Sequence, residues 1–441
     1  MTADSARLAA YDVVRAVRTQ DAYANLVLPQ AIRDHQLVGR DAGFATELAA
    51  GTLRRLGTYD AVIDACLDHG KVKPRIRDVL RLGVHQLLGM RVGSHAAVST
   101  TVDLARARAG ARSSGLVNAV LRKVSEHDLD TWLAMVAPDP TTDPIGHLAV
   151  AHSHPRWVVE ELARSLGNRD SELATLLAAD NEAPGVVLAA RPGRSTREEL
   201  PGEPTTLSPY GVRLPGGDPG AVPAVAEGRA GVQDEGSQLV ALALAAAPLE
   251  GEDARWLDLC AGPGGKAALL AALAHERGAR LVANEPQQHR ADLVRRALTG
   301  AEGVEITTAD GRQPPWAAGS FDRVLVDVPC SGLGALRRRP EARWRKQPAD
   351  IEELVPLQRD LLGSSLDLVR PGGVVVYATC SPVLAETAGV VESVLAARDD
   401  VVLEPVALDL PDAVGPLAGT SQLWPHRHLT DAMFLAVLRR C

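Results

Sequence analysis

The chain has 441 residues, a formal net charge of −8, 46% hydrophobic residues and five cysteines. That length suits about two to four domains. There is no uninterrupted apolar run of about 18 residues, and the opening MTADSARLAAYDVV lacks the basic-then-apolar order of a secretory signal, so a soluble, cytoplasmic protein is expected.

From the N-terminus, apolar residues recur at helical spacing. Ala10, Val13, Val14 and Val17 form one stripe, Ile76, Val79, Leu80 and Leu87 a second, and Val117, Val120, Leu121 and Val124 a third. Residues 1–130 are therefore expected to form an all-α domain. Its exterior is basic: residues 1–125 hold 18 Lys+Arg and 11 Asp+Glu, against 29 and 44 in the remainder. KVKPRIR sets Lys71, Lys73 and Arg75 around Pro74 at a helix entrance. A nucleic-acid partner is thus compatible with an acidic average. Three prolines in APDPTTDP, Ala137–Pro144, then break the helical pattern. Two more helical stretches, a strand VVLAA and a segment dense in Pro and Gly follow, which reads as a small α+β connector over residues 131–225.

From about Gly231 short β-runs alternate with helical runs. The strands are WLDLC, RLVANE, VEITTAD, DRVLVDVP, VVVYATC and AMFLAVL. Among the helices, IEELVPLQRDLLGSSLDLVRPGG is expected to stop at Pro371-Gly372-Gly373. Residues 226–441 are therefore expected to be an α/β, Rossmann-like domain with a mostly parallel, doubly wound sheet. Such sheets bind ligands at the carboxyl ends of their strands.

The first of these strand ends opens into DLCAGPGGKA, a glycine-rich turn running into a helix, which suits close approach of a ligand and favours negative charge at the helix N-terminus. Gly262, Gly264 and Ala267 also have G-x-G-x-x-A spacing, whereas Ala267 after Lys266 rules out a P-loop. Glu285 at the second strand end is placed to accept ribose hydroxyls, and Asp310 at the third to bind an adenine amino group. These three ends suit an adenosine-containing cofactor without separating NAD from S-adenosylmethionine. The fourth and fifth, DVPCSG and YATCSP, add two thiols and a carboxylate for which a dehydrogenase has no evident use. A thiolate adding to C6 of a pyrimidine activates C5 toward a sulfonium methyl group, and the reaction also needs a donor at N3/N4 and help in expelling the thiol. Cys380, Asp327 and Cys330 are placed to supply these functions. The five cysteines, Cys66, Cys260, Cys330, Cys380 and Cys441, are odd in number and scattered, which argues against a disulfide framework. Cys66 and Cys441 read as incidental, His154 and Trp157 as a helix entrance, and His426 and His428 lack a third ligand at metal spacing, so no metal is expected.

DLCAGPGGK, DVPCSGLGALRRRPEARWR and YATCSP, with VQDEGSQL and LWPHRHLTDAMFLAVL, resemble the signature blocks of the RNA cytosine-5 methyltransferases of the Nol1/Nop2/Sun class. Together with an N-terminal domain resembling the antitermination factor NusB, they point to the bacterial small-subunit rRNA methyltransferase B subgroup, whose target is cytosine 967 of 16S rRNA. The resemblance implies that Cys260, Ala261, Gly262, Pro263, Gly264, Gly265, Lys266, Glu285, Asp310 and Asp327 line an S-adenosyl-L-methionine site. It makes Cys380 the nucleophile and Cys330 the helper in product release; the swapped assignment is the internal alternative. It implies 16S rRNA as partner, no membrane, and a monomer. Arg337, Arg338, Arg339, Arg343 and Arg345, just past PCSG, read as RNA phosphate contacts. One departure is Thr387 after Glu386, where the family commonly has Asn. The rival functions are methylation of another RNA, such as tRNA or 23S rRNA, a non-catalytic rRNA assembly factor, and an NAD-dependent oxidoreductase.

Overall fold

A computed structural model describes residues 3–67 and 71–441. The chain divides into two compact units. One contains residues up to Glu182 together with Leu336–Arg345; the other contains Ala183–Ala335 and Lys346–Cys441.

The first unit is helical. Asp4 starts the helix Ser5–Gln20 by accepting from the backbone N–H of Arg7 at 3.0 Å, and Pro74 occupies the first turn of Pro74–Leu88, where its missing N–H costs nothing. The expected stripes face inward: Ala10, Val13, Val14 and Val17, then Val79 and Leu80, then Val117, Val120, Leu121 and Val124 are all buried. Ile76 and Leu87 pack at the margin of the same core. Asp78 is fully buried inside this unit, and its carboxylate accepts from Arg18 at 2.8 Å and Arg81 at 3.3 Å. Among the described residues no helix is long and apolar enough to cross a membrane.

The boundaries differ from those expected at residues 130 and 225. Helices Leu129–Val136, Pro144–Ala151, Arg156–Leu166 and Leu173–Ala179 remain with the helical unit, whereas the strands of the connector belong to the other. The arginine run also lies in the helical unit. Arg343 is fully buried, and its guanidinium donates to the carbonyls of Ser153 and Asp180, each at 3.1 Å, and to Asn181 Oδ1 at 2.8 Å. Arg345 donates to the carbonyls of Asp21 at 2.8 Å, Val17 at 3.3 Å and Ala22. Arg339 lies over the Tyr23 ring at 4.8 Å, and Arg337 is buried. The reading of the run as a phosphate-contacting patch is therefore corrected: Arg343 and Arg345 spend their donors on backbone carbonyls of their own unit, and of the five only Arg338 is exposed.

The second unit contains two sheets. In the smaller, β1 (Val187–Ala190), β2 (Glu203–Pro204), β3 (Gly211–Arg213) and β4 (Ala230–Val232) are antiparallel in the order β2-β3-β1-β4. The larger contains β5 (Arg255–Asp258), β6 (Arg280–Asn284), β7 (Val304–Thr307), β8 (Phe321–Asp327), β9 (Val369–Thr379), β10 (Val401–Glu404), β11 (Ser421–Gln422) and β12 (Phe434–Arg440). Its order is β10-β12-β9-β8-β5-β6-β7, with β11 beside β12. Strands β9, β8, β5, β6 and β7 are parallel; β12 and β10 are antiparallel additions. The six expected strands are present; β10, VVLE, and the two-residue β11, SQ, were not foreseen. The order reverses between β5 and β8, which opens a crevice at their carboxyl ends.

Local polar pairing supports this frame. Arg323 on β8 is buried and donates to the carbonyls of Leu244 and Ala247, both at 2.7 Å, closing the end of the helix Glu235–Ala246. The helix Pro348–Leu368 ends three residues before Pro371, and Pro371-Gly372-Gly373 lie within β9, where the pairing with β8 shifts register. The PGG segment is thus a strand irregularity and not the helix stop that was expected.

Replacing Arg343 with Met is expected to lower the stability of the helical unit by on the order of 3 kcal/mol, since it strands buried carbonyls that have lost charged donors. Thermal melting of the full chain checks this; an unchanged first transition would show the buried guanidinium to be neutral for stability.

Candidate active site

The crevice is lined first by the turn after β5. The backbone N–H of Ala261 donates to the carbonyl of Asn284 at 2.8 Å, which joins the ends of β5 and β6. Gly262 lies against Glu285, where a Cβ would come within 2.1 Å of the carboxylate, and Gly264 has φ +114° beneath Ala297. Both glycines are required by packing. Gly265, in contrast, has only Gln233 at 3.9 Å around its Cβ position, so the approach to the helix Gly265–Glu276 is open on that side.

Lys266, in the first turn of that helix, pairs with Asp327 at the end of β8 at 2.9 Å and reaches Ser237 Oγ at 3.3 Å. Burial works against its ammonium, but Asp327 outweighs this and raises its pKa. Asp258 ends β5, is 1% exposed, and no side chain donates to either carboxylate oxygen; among donors only the backbone N–H of Cys260 weakly favours its charge. Burial, with Asp327 nearby, pushes its pKa up to about 8. A buried carboxyl without a side-chain partner at a strand end suits a site that receives a polar ligand.

The other expected cofactor residues divide. Glu285 is buried at the end of β6, accepting from the Gln287 N–H at 3.1 Å with Arg290 Nε at 3.5 Å. Asp310 is exposed and its carboxylate is held by Arg312, whose Nη2 is at 2.7 Å, which lowers its pKa. Cys260 lies among acids, and burial pushes its thiol well up. Asn284 is a residue the motif reading passed over: fully buried, it donates to the carbonyls of Leu259 at 3.1 Å and Ala309 at 3.0 Å, tying three strand ends together. Its signal was the Asn beside Glu285 in VANE.

Cys330 and Cys380 meet. Their sulfurs are 3.4 Å apart, hydrogen-bonded and partly exposed. The hydrogen bond from Cys330, aided by the Lys266 charge, lowers the Cys380 pKa against the cost of burial. The same bond and burial raise Cys330 well above a normal thiol. The pair is thus polarised, with ionisation easier at Cys380 than at Cys330. Gly334 keeps the two loops together: its N–H donates to the Cys380 carbonyl at 2.9 Å and its carbonyl accepts from Ala432 N–H at 2.8 Å. A Cβ there would meet Ala432 O at 2.2 Å. Behind them Glu386 is fully buried and accepts from Ser331 and Ser381, and Thr387 turns its hydroxyl back to the Val383 carbonyl at 3.0 Å. The departure at Thr387 therefore serves its own turn. Among the described residues no cluster of three His, Cys, Asp or Glu could hold a metal ion.

Residues 243–439 match the family described as 16S rRNA methyltransferase RsmB/F, and residues 4–126 match the NusB family. A Mycobacterium tuberculosis protein provisionally named a methyltransferase, with no substrate given, is 53% identical over 444 residues, which is 99% of this chain and 97% of its own. The ribosomal RNA small subunit methyltransferase B of Salmonella paratyphi B is 32% identical over 413 residues, covering 90% of this chain and 91% of its own. The crystal structure of PH0851 shares the fold with a TM-score of 0.82 at 23% identity, covering 100% of this chain and 99% of that one.

Asp258 yields a test of the site's electrostatics. Its folded pKa of about 8 exceeds the ordinary value of about 4, so folding retains a proton between those limits and stability falls as pH rises through that window. Asp258→Asn removes this dependence. Its melting temperature should gain on the wild type from about pH 5 to about pH 8 and gain no further above that; a gap constant with pH would show Asp258 to be ionised in the folded protein.

Proposed function

The chain belongs to the RsmB/F family of 16S rRNA methyltransferases and carries an N-terminal NusB-family domain, and from that premise we propose that it methylates C5 of a cytosine, cytosine 967 of 16S rRNA, in the bacterial cytoplasm. The reading is supported above all by the polarised sulfur pair at 3.4 Å.

S-adenosylmethionine, when bound, supplies an electrophilic methyl group. The N-terminal N–H groups of the helix at Gly265 suit its carboxylate, Glu285 its ribose, and Asp258, Lys266 and Asp327 line the polar end of the crevice. Cys380, as thiolate, adds to C6 of the cytosine and drives electrons toward C5. Asp327, held by Lys266, accepts from the N4 amino group of the base, and the Lys266 ammonium beside it offsets the negative charge that develops on the ring. After methylation water takes the proton from C5, the C–H electron pair forms the C5=C6 bond, and the C6–sulfur bond breaks with its pair returning to Cys380. Cys330 donates its S–H hydrogen bond to the departing sulfur.

Cys380→Ala is expected to abolish methyl transfer while leaving S-adenosylmethionine binding in place. Cys330→Ala should accumulate a covalent RNA adduct, because attack still has Lys266 to favour the thiolate whereas departure has lost its donor. Denaturing gels with labelled rRNA decide this; an adduct with Cys380→Ala and none with Cys330→Ala would reverse the two roles.

The helical unit is assigned to RNA phosphates through Lys71, Lys73 and Arg75, which are exposed. Replacing all three with Glu should weaken rRNA affinity and make it less salt-dependent, the slope of log affinity against log salt falling by roughly 2 to 3. S-adenosylmethionine affinity should not change. Equal slopes for variant and wild type would remove these residues from the interface.

A further inference from the structure

We propose that Glu386 is a positioning residue that locks the PCSG and TCSP loops together and holds Cys330 in place as the donor to Cys380; this rests on the cytosine-5 reading of the thiol pair. Each catalytic cysteine is followed by a serine, and both serines end on this one carboxylate. Oε1 accepts from the Ser331 N–H at 2.7 Å and from Gln358 Nε2 at 3.1 Å. Oε2 accepts from Ser331 Oγ at 2.5 Å and Ser381 Oγ at 2.6 Å.

The clamp reaches further on both sides. Gln358, also fully buried, donates to the Pro329 carbonyl at 2.9 Å, so the residue before Cys330 is held by the same network. Tyr377 donates its hydroxyl to the Glu386 carbonyl at 2.7 Å, anchoring the clamp to β9. Glu386 thus touches neither sulfur in these bonds, yet fixes the residues on either side of Cys330 and the residue after Cys380. Its negative charge also opposes ionisation of Cys330, which keeps the proton on the donor and leaves Cys380 as the thiolate. A glutamate serving stability alone would be indifferent to which thiol is reactive.

The test measures that choice. The full chain is treated briefly with iodoacetamide, without RNA or cofactor, and labelling at Cys380 and Cys330 is quantified by peptide mass spectrometry. Wild type should label chiefly at Cys380. Glu386→Gln keeps the volume but replaces one acceptor oxygen by a donor and removes the charge, so the Cys380-to-Cys330 labelling ratio should fall by about tenfold. In methyl-transfer assays kcat should fall with KM for S-adenosylmethionine within about twofold of wild type. Ser381→Ala, a smaller change that keeps the carboxylate, should shift the labelling ratio in the same direction by about threefold and carries the test if the glutamine variant does not fold. A labelling ratio unchanged in a folded variant overturns the proposal. Failure of wild type to methylate rRNA while these ratios still shift would instead sink the functional reading and leave the clamp standing.

Discussion

The parallel pairing of β8 with β9, with Arg323 opposite Val374 and Asp327 opposite Ala378, brings both thiols to the same edge of the sheet at the same height. Register in a buried strand is strongly specified, because a slip of one residue would turn its core-facing side chains to the other face. Val374 to Ala378 are all fully buried, so this strand has no exposed face onto which a slip would be tolerated. The loops that follow are then short enough for Gly334 and Glu386 to bind both, and the sulfur separation follows from the pairing of the strands.

On this frame one site treats its thiols differently. Cys260, Cys330 and Cys380 share a neighbourhood rich in carboxylates, with Asp327 close to all three. Acids raise a thiol pKa, and at Cys260 the Arg290 charge is too weak to offset burial and the acids. Cys380 alone gains a donor thiol and the Lys266 ammonium on the stabilising side. The difference between the two paired thiols comes from the placement of the Lys266 ammonium and of a donor thiol within an acidic site. The raised pKa of Asp258 fits the same pattern, since burial and the Asp327 charge outweigh the Lys266 ammonium there.

The helical unit illustrates how basic residues act in two different ways within one chain. At Arg343 and Arg345 the planar guanidinium serves as a multiple donor to backbone carbonyls, a use for which its fixed fork is suited. At Lys71, Lys73 and Arg75 the charges stand exposed beside a proline-started helix. The stretch Leu336–Arg345 leaves the catalytic unit in sequence and completes the helical one, so its composition belongs to the packing of that unit.

What the sequence determined by itself was local. Helical stripes, six strands and the glycine turn were legible because periodicity and turn chemistry are carried by neighbouring residues, and the paired PCSG and TCSP blocks marked both thiols. The tertiary structure decided everything that depends on partners distant in the chain. It set β12 antiparallel, placed Pro371-Gly372-Gly373 inside a strand, and divided the connector between two units. Five arginines within nine residues suit a phosphate patch, a solvated face or buried donors equally well in sequence; only the carbonyls of Val17, Asp21, Ser153 and Asp180 distinguish these uses. Glu386 was visible as a letter after TCS, but its function lies in bonds to Ser331 and Gln358, 55 and 28 residues away. A carboxylate acquires its meaning from the donors that surround it, and those are assembled only when the chain folds.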